Sequence, residues 1–219
     1  MKKFSLPLIC CLALFAGCSD DSSDKAAAPT ADQLEPRLLN AGDIGAGWIS
    51  TTAVTAQDLG GLSSSPCPGV TIPAAVTTRL KPVTGVRLTP ADGTNRAIIE
   101  AVVVGDEETL TSDLQAVMDA AESCTGTEIV SENGDKARYD SVMLPAIGDQ
   151  RMATVVLGSQ APEFQLTTHG HTAIVRVGGI AVLLTQYEVM TNPDAPVIVT
   201  DTDFIGILKT AVDRISAEA

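Results

Sequence analysis

Apolar residues recur along this chain in two periods, and the alternation between them sets the expected architecture. Asn95–Val104 is a continuous apolar, β-branched run and predicts a strand. Leu110, Leu114, Val117, Met118 and Ala121 then recur at three- and four-residue spacing, which predicts a helix with one apolar face. Asp106-Glu107-Glu108 precede it as capping and first-turn acids, and Gly126 beyond Cys124 marks its end. Strand-like segments follow at Thr127–Ser131 and Lys136–Met143 about an Asn133-Gly134 turn, then at Arg151–Leu157 and Phe164–Thr168. Thr172–Val177 and Ile180–Tyr187 form a further hairpin around Gly178-Gly179. A last helix over Thr202–Ala217 gathers Phe204, Ile207, Leu208, Ala211, Val212 and Ile215 on one side.

Consecutive hairpins make an antiparallel sheet, and amphipathic helices need an apolar surface to cover. The fold class expected is therefore α+β: one domain, an antiparallel sheet with two or more amphipathic helices packed on it. Leu34–Leu39 reads as a short helix, and the glycines of residues 40–48 read as turns that bring Trp48, the only tryptophan, into place. Residues 57–93, with Gly60-Gly61, three serines and Pro66 and Pro68 around Cys67, read as loop.

The beginning of the chain follows a different pattern. Met1-Lys2-Lys3 leads into an apolar run from Phe4 to Ala16, too short for a bilayer, which needs about 20 residues. The run ends in Ala16-Gly17-Cys18, small residues before a cysteine whose sulfur can take a diacylglycerol. This resembles a bacterial lipobox, with Phe15 in place of the usual Leu. Residues 1–17 are thus expected to be a signal peptide. Residues 18–36 would be the lipidated cysteine and a polar tether of about 25 Å root-mean-square span. Residues 37–219 would be the extracytoplasmic domain. Acyl chains on Cys18 would then hold the protein on the outer face of the cell membrane.

Losing Lys2 and Lys3 leaves 12 basic against 27 acidic residues, a formal charge of −15. Such a surface repels nucleic acid and anionic headgroups, which leaves the acyl anchor as the membrane attachment. Cys18, Cys67 and Cys124 remain after processing. With Cys18 acylated, one pair is left in an oxidising compartment, and a Cys67–Cys124 disulfide is expected.

Catalytic chemistry is not signalled. His169 and His171, the only histidines, flank Gly170 between threonines and read as an exposed hairpin tip, with a metal site as the sharper but less supported reading. No Gly-x-Ser-x-Gly elbow, phosphate loop or zinc spacing occurs. Asp201 and Asp203 resemble a carboxylate pair, yet their place at the start of the last helix favours capping. Trp48 is more at home in the core than in a cleft. No cofactor is implied.

Several segments together resemble the extracellular sensor domain of actinobacterial transmembrane serine/threonine kinases, a domain that also occurs in lipoproteins. They are Leu38-Leu39…Asp43-Ile44…Gly47-Trp48, Leu144-Pro145-Ala146-Ile147-Gly148-Asp149, Arg176–Val182 and Ala211–Ile215. The resemblance spans about residues 34–217 and implies an α+β domain whose sheet and helices frame a cleft for an unidentified ligand. Those kinase domains carry two disulfides, against one possible here. A lipoprotein family with a fold like the photosystem accessory protein PsbP is a rival on the same segments. The expected function is a non-enzymatic, lipid-anchored binding or sensor domain for a small molecule. An interaction subunit bound to an envelope protein is the alternative, and an unrecognised hydrolase a third.

Overall fold

The computed structural model describes residues 28–51, 72–130, 136–159, 166–190 and 200–217. It is built on one antiparallel sheet of eight strands in the order β1-β2-β3-β8-β7-β6-β5-β4. The strands are β1 (Trp48–Thr51), β2 (Thr84–Pro90), β3 (Arg96–Val104), β4 (Glu128–Val130), β5 (Lys136–Ser141), β6 (Gln150–Ser159), β7 (Thr167–Val177) and β8 (Ile180–Met190). The helices are α1 (Ala31–Leu34), followed by a 3-10 turn over Glu35–Arg37, then α2 (Ala41–Ile44), α3 (Ala74–Arg79), α4 (Glu107–Glu122) and α5 (Asp201–Ser216). The α+β class and the helices packed on an antiparallel sheet are as the pattern predicts.

The centre of the sheet, β3-β8-β7, is buried on both faces over most of its length, which is why β3 reads as a nearly unbroken apolar run rather than as an alternation. On one face Ile98, Val102, Val182, Leu184, Ala173 and Val175 meet Phe204, Leu208 and Ile215 of α5, together with Leu34, Leu38 and Leu39 of the N-terminal segment. On the other, Ala101, Val103, Ile174, Ala181 and Leu183 meet Leu110, Leu114 and Val117 of α4, with Val76 and Leu80 at α3. The molecule thus has three layers.

Both long helices begin on side-chain caps. Asp106 accepts from the amides of Glu108 and Thr109 at the start of α4, and Thr200 accepts from the Asp203 amide at the start of α5. The β7–β8 hairpin closes on Gly178 at φ +55, a left-handed conformation that a side chain disfavours. Gly148 sits at φ +62, and a Cβ there would lie 2.5 Å from the Arg176 carbonyl oxygen. The Gly148-Asp149 turn therefore needs glycine twice over: for its φ and for its close approach to β7.

Three expectations are corrected. The folded domain starts earlier than residue 37: α1 begins at Ala31 and Leu34 is fully buried, so the polar tether cannot extend to Pro36. The stretch 57–93 is not all loop, because α3 and β2 lie within it. Val86 and Leu88 of β2 bury against β3, a partner that local composition does not reveal. The third concerns the histidine segment. No separate strand ends at Thr168; β7 runs unbroken through His169-Gly170-His171, and both imidazoles are inside the protein. Residues 1–27, including Cys18, the stretch around Cys67 and the Asn133-Gly134 turn lie outside the described residues.

Candidate functional site

Residues that alternate along a strand share a face, so the pairing register states what lies beneath α5. Deep under the helix one row across β3, β8, β7 and β6 is Glu100, Leu184, Ala173 and Ala153. The next row is Ile98, Gln186, His171 and Val155, and the one after is Arg96, Glu188, His169 and Leu157. The apolar face becomes polar over two rows, at the end of the sheet where α5 begins.

These polar groups are not at the surface. His171 is 0% exposed and His169 8%, and Gln186 and Glu188 are buried beside them. Nε2 of His171 lies 2.7 Å from Oδ1 of Asp201, the first residue of α5. An ionised carboxylate only accepts, so the imidazole proton belongs on Nε2 and the neutral ring's Nδ1 keeps its lone pair. The His171 ring stacks on Phe204 at 4.9 Å and 23°, and His169 meets it edge-on at 4.9 Å and 85°. Burial pushes the His169 pKa below the usual imidazole value, with His171 adding to the effect while Glu188 and Asp201 oppose it.

The hydrogen bonding of this cluster is incomplete. His169 Nδ1, His171 Nδ1 and Gln186 Oε1 are buried with no partner. Each orphaned buried polar atom costs about 1–3 kcal/mol, and native interiors hold few of them. Among the described residues the remaining ones are single atoms of Glu100, Gln150 and Arg176 at separate places. At the rim of the cluster Leu157 is 44% exposed and the Asp201 side chain 63%. The arrangement can receive hydrogen-bond donors from a guest.

It is poorly suited to nucleophilic catalysis. His171 with Asp201 has the form of a base and its orienting carboxylate, but among the described residues no hydroxyl or thiol is hydrogen-bonded to either imidazole. No group of three His, Cys, Asp or Glu side chains among the described residues is placed to hold a metal ion.

Glu100 occupies the same face, fully buried, two positions from Ile98. Its Oε2 accepts from the Leu39 amide at 2.6 Å, while Oε1 has no partner. Burial pushes its pKa up to about 7, against the Leu39 hydrogen bond and the charge of Arg214. Arg214 on α5 in turn donates to the Pro36 and Arg37 carbonyls and pairs with Asp43. These contacts clasp the N-terminal segment onto the domain, which is a structural duty.

Two surface hollows are less informative. One of about 930 Å³ runs along the solvent flank of α4, lined by Asp106, Glu107, Glu108 and Asp119 among others. It is the solvated side of one helix. A smaller one of about 480 Å³ lies on the opposite face of the sheet from the histidines, where Arg87 donates to the Tyr187 hydroxyl at 2.7 Å.

Of the residues singled out from sequence, Cys124 is buried just beyond α4, while Cys18 and Cys67 lie outside the described residues. Trp48 is half-buried against the α5-side core, with the Arg96 guanidinium 5.7 Å from its ring. Asp203 does cap, exchanging hydrogen bonds with Thr200, whereas Asp201 turns to His171. The exposed-tip reading of the histidines fails because β7 pairs without a break with β6 from Thr167 to Arg176 and with β8 from Thr167 to Val177, which holds His169-Gly170-His171 extended inside the sheet. Gln186 and Glu188 were not singled out, although counting outward from Gly178-Gly179 pairs them with His171 and His169.

No protein-family profile matches this sequence, and no curated protein matches it either. Solved structures do. The extracellular domain of PknH from Mycobacterium tuberculosis superposes with a TM-score of 0.55 at 15% identity, over 87% of this chain and 98% of that one. An uncharacterised Mycobacterium smegmatis protein, an Rv0999 ortholog, gives 0.45 at 17% identity, over 86% of this chain and 97% of its own. The segments that resembled a kinase sensor domain thus lie in a chain that has the fold of the PknH extracellular domain.

Proposed function

We propose that this protein is a lipid-anchored, extracytoplasmic domain that binds a small molecule and does no chemistry on it. The observation that carries the binding reading is the set of three unpartnered buried polar atoms of His169, His171 and Gln186 beneath the start of α5. A cluster of unsatisfied buried acceptors near the exposed start of a helix can take hydrogen-bond donors from a guest. The fold shared with an extracellular domain supports the location, as does the Ala16-Gly17-Cys18 sequence. Cys18 is the proposed acyl attachment and Cys67–Cys124 the proposed disulfide.

Two measurements test this. Intact-mass spectrometry of the protein from its native membrane should show a diacylglyceryl mass on a chain starting at Cys18, and a two-dalton gain on reduction. An unlipidated chain would remove the anchor. Thermal melting against fractionated cell-envelope extract should reveal a fraction that raises the midpoint, since a ligand that binds only the folded state stabilises it. Uniform silence, together with a crosslinked envelope protein recovered from cells, would replace binding of a small molecule with an interaction role.

A further inference from the structure

We propose that His169, His171 and Gln186 form the head-group subsite of that ligand, and that the group they take is a primary ammonium. This rests on the binding reading above and adds the chemical class.

The argument begins with which way each orphaned atom can bond. Asp201 fixes the His171 proton on Nε2, so Nδ1 is an acceptor. The Gln186 Oε1 is an acceptor by nature. His169 Nδ1 is an acceptor whenever its ring proton sits on Nε2, the tautomer a donor-bearing guest selects. Three acceptors, two on alternate residues of β7 and one across from His171 on β8, ask for a group with several donors and no lone pair to clash with them. An ammonium has three N–H donors and no acceptor. A hydroxyl would satisfy one acceptor and turn its own lone pairs toward the others.

Charge points the same way. Glu188 faces His169 directly across the β7–β8 pair, and Asp201 closes the outer side at His171. An anionic head group would meet two carboxylates in a chain of net charge −13. Arg96, the nearest cation in that row, lies over Trp48 and donates to Thr94, on the side of the sheet strip away from His169. A buried ammonium is tolerated only when it is hydrogen-bonded and near opposite charge, and the cluster supplies both.

The test uses the full lipidated protein in detergent, labelled with ¹⁵N-histidine. The chain has two histidines, so each imidazole is assigned with one substitution. The probes are n-butylammonium, n-butanol and butyrate at matched pH and ionic strength. Expected is a saturable shift of the Nδ1 resonances of both histidines with n-butylammonium, none with butyrate, and at least a fivefold weaker response in Gln186→Leu. That variant keeps the side-chain volume, and His169→Gln provides a second if it misfolds. No saturable shift, an equal response to n-butanol, or an undiminished response in the folded variants would overturn the assignment. An extract fraction that stabilises the protein without moving either histidine would overturn it while leaving the binding reading standing.

Discussion

The two faces of the central sheet both bury aliphatic side chains but distribute their buried polar groups differently. On the α4 face the buried charges are Asp113, which Arg79 grips with both Nε and Nη2, and Arg176, which donates through Nη1 to Glu107 and the Gly178 carbonyl while its Nε has no partner. A buried carboxylate held by a two-pronged guanidinium is compensated. On the α5 face the buried polar groups are Glu100, His169, His171, Gln186 and Glu188, and four of their atoms have no partner. The α4 face leaves single atoms of Gln150 and Arg176 without a partner at its edge, whereas the α5 face gathers three of its four in neighbouring positions on β7 and β8. Features that lower stability and persist belong to function more often than to folding.

The comparison can be broken at several points, from the largest effect down. Replacing Cys67 and Cys124 by serine should lower unfolding free energy by about 4 kcal/mol, the chain-entropy value for a loop of 57 residue steps. Denaturant titration that finds the double variant as stable as the parent would remove the proposed disulfide, which would fasten the end of α4 to residue 67.

Next comes Glu100. Its folded-state pKa of about 7 lies above the ordinary carboxyl value of 4.5, so the folded state holds a proton that the unfolded state has lost. Its contribution is therefore complete below about pH 4.5 and is lost as pH rises through 7. The span of the shift corresponds to roughly 3 kcal/mol. Glu100→Gln should flatten this decline, and an unchanged slope would show that another group titrates. His169 works in the opposite sense: burial lowers its pKa, so its contribution falls as pH drops below the usual imidazole value of about 6.5.

A smaller effect of opposite sign is expected at Gln186. Replacing it with leucine removes an orphaned acceptor and should stabilise the unliganded protein by about 1 kcal/mol. Stabilisation accompanied by weaker ligand binding would mark the α5 face as functional. Destabilisation would mean the side chain is already satisfied. Smallest of all is Asp201→Asn: with that side chain mostly exposed, unfolding should change by about 0.5 kcal/mol or less. Its readout is the His171 imidazole, whose ¹⁵N spectrum should lose the fixed Nε2–H tautomer.

Much of the fold was legible in the chain, and for local reasons. The run Asn95–Val104, the heptad-like spacing of Leu110, Leu114, Val117 and Ala121, and the face gathered by Phe204, Leu208 and Ile215 reported β3, α4 and α5 within a residue or two of their ends. Gly178-Gly179 fixed the hairpin and with it the register of β7 on β8. What escaped was whatever depends on a distant partner. Short β2 sits among glycines and prolines and becomes a strand by pairing with β3. The edge of the domain before residue 37 escaped because the burial of Leu34 requires α5 and the sheet, far along the chain.

The candidate site shows the same division more sharply. Thr168-His169-Gly170-His171 has the composition of a turn, and only the strands on either side hold it extended. The chain by itself carries the expectation of an export signal with its cysteine and of one paired thiol couple, and it determined the elements with strong periodicity, because each is written in neighbouring residues. Tertiary structure decided that two histidines lie under a helix begun thirty residues later, with Asp201 on one nitrogen and nothing on the other. Burial and partnership are properties of segments brought together, and no local pattern of polar and apolar residues encodes which polar atoms are left without a partner.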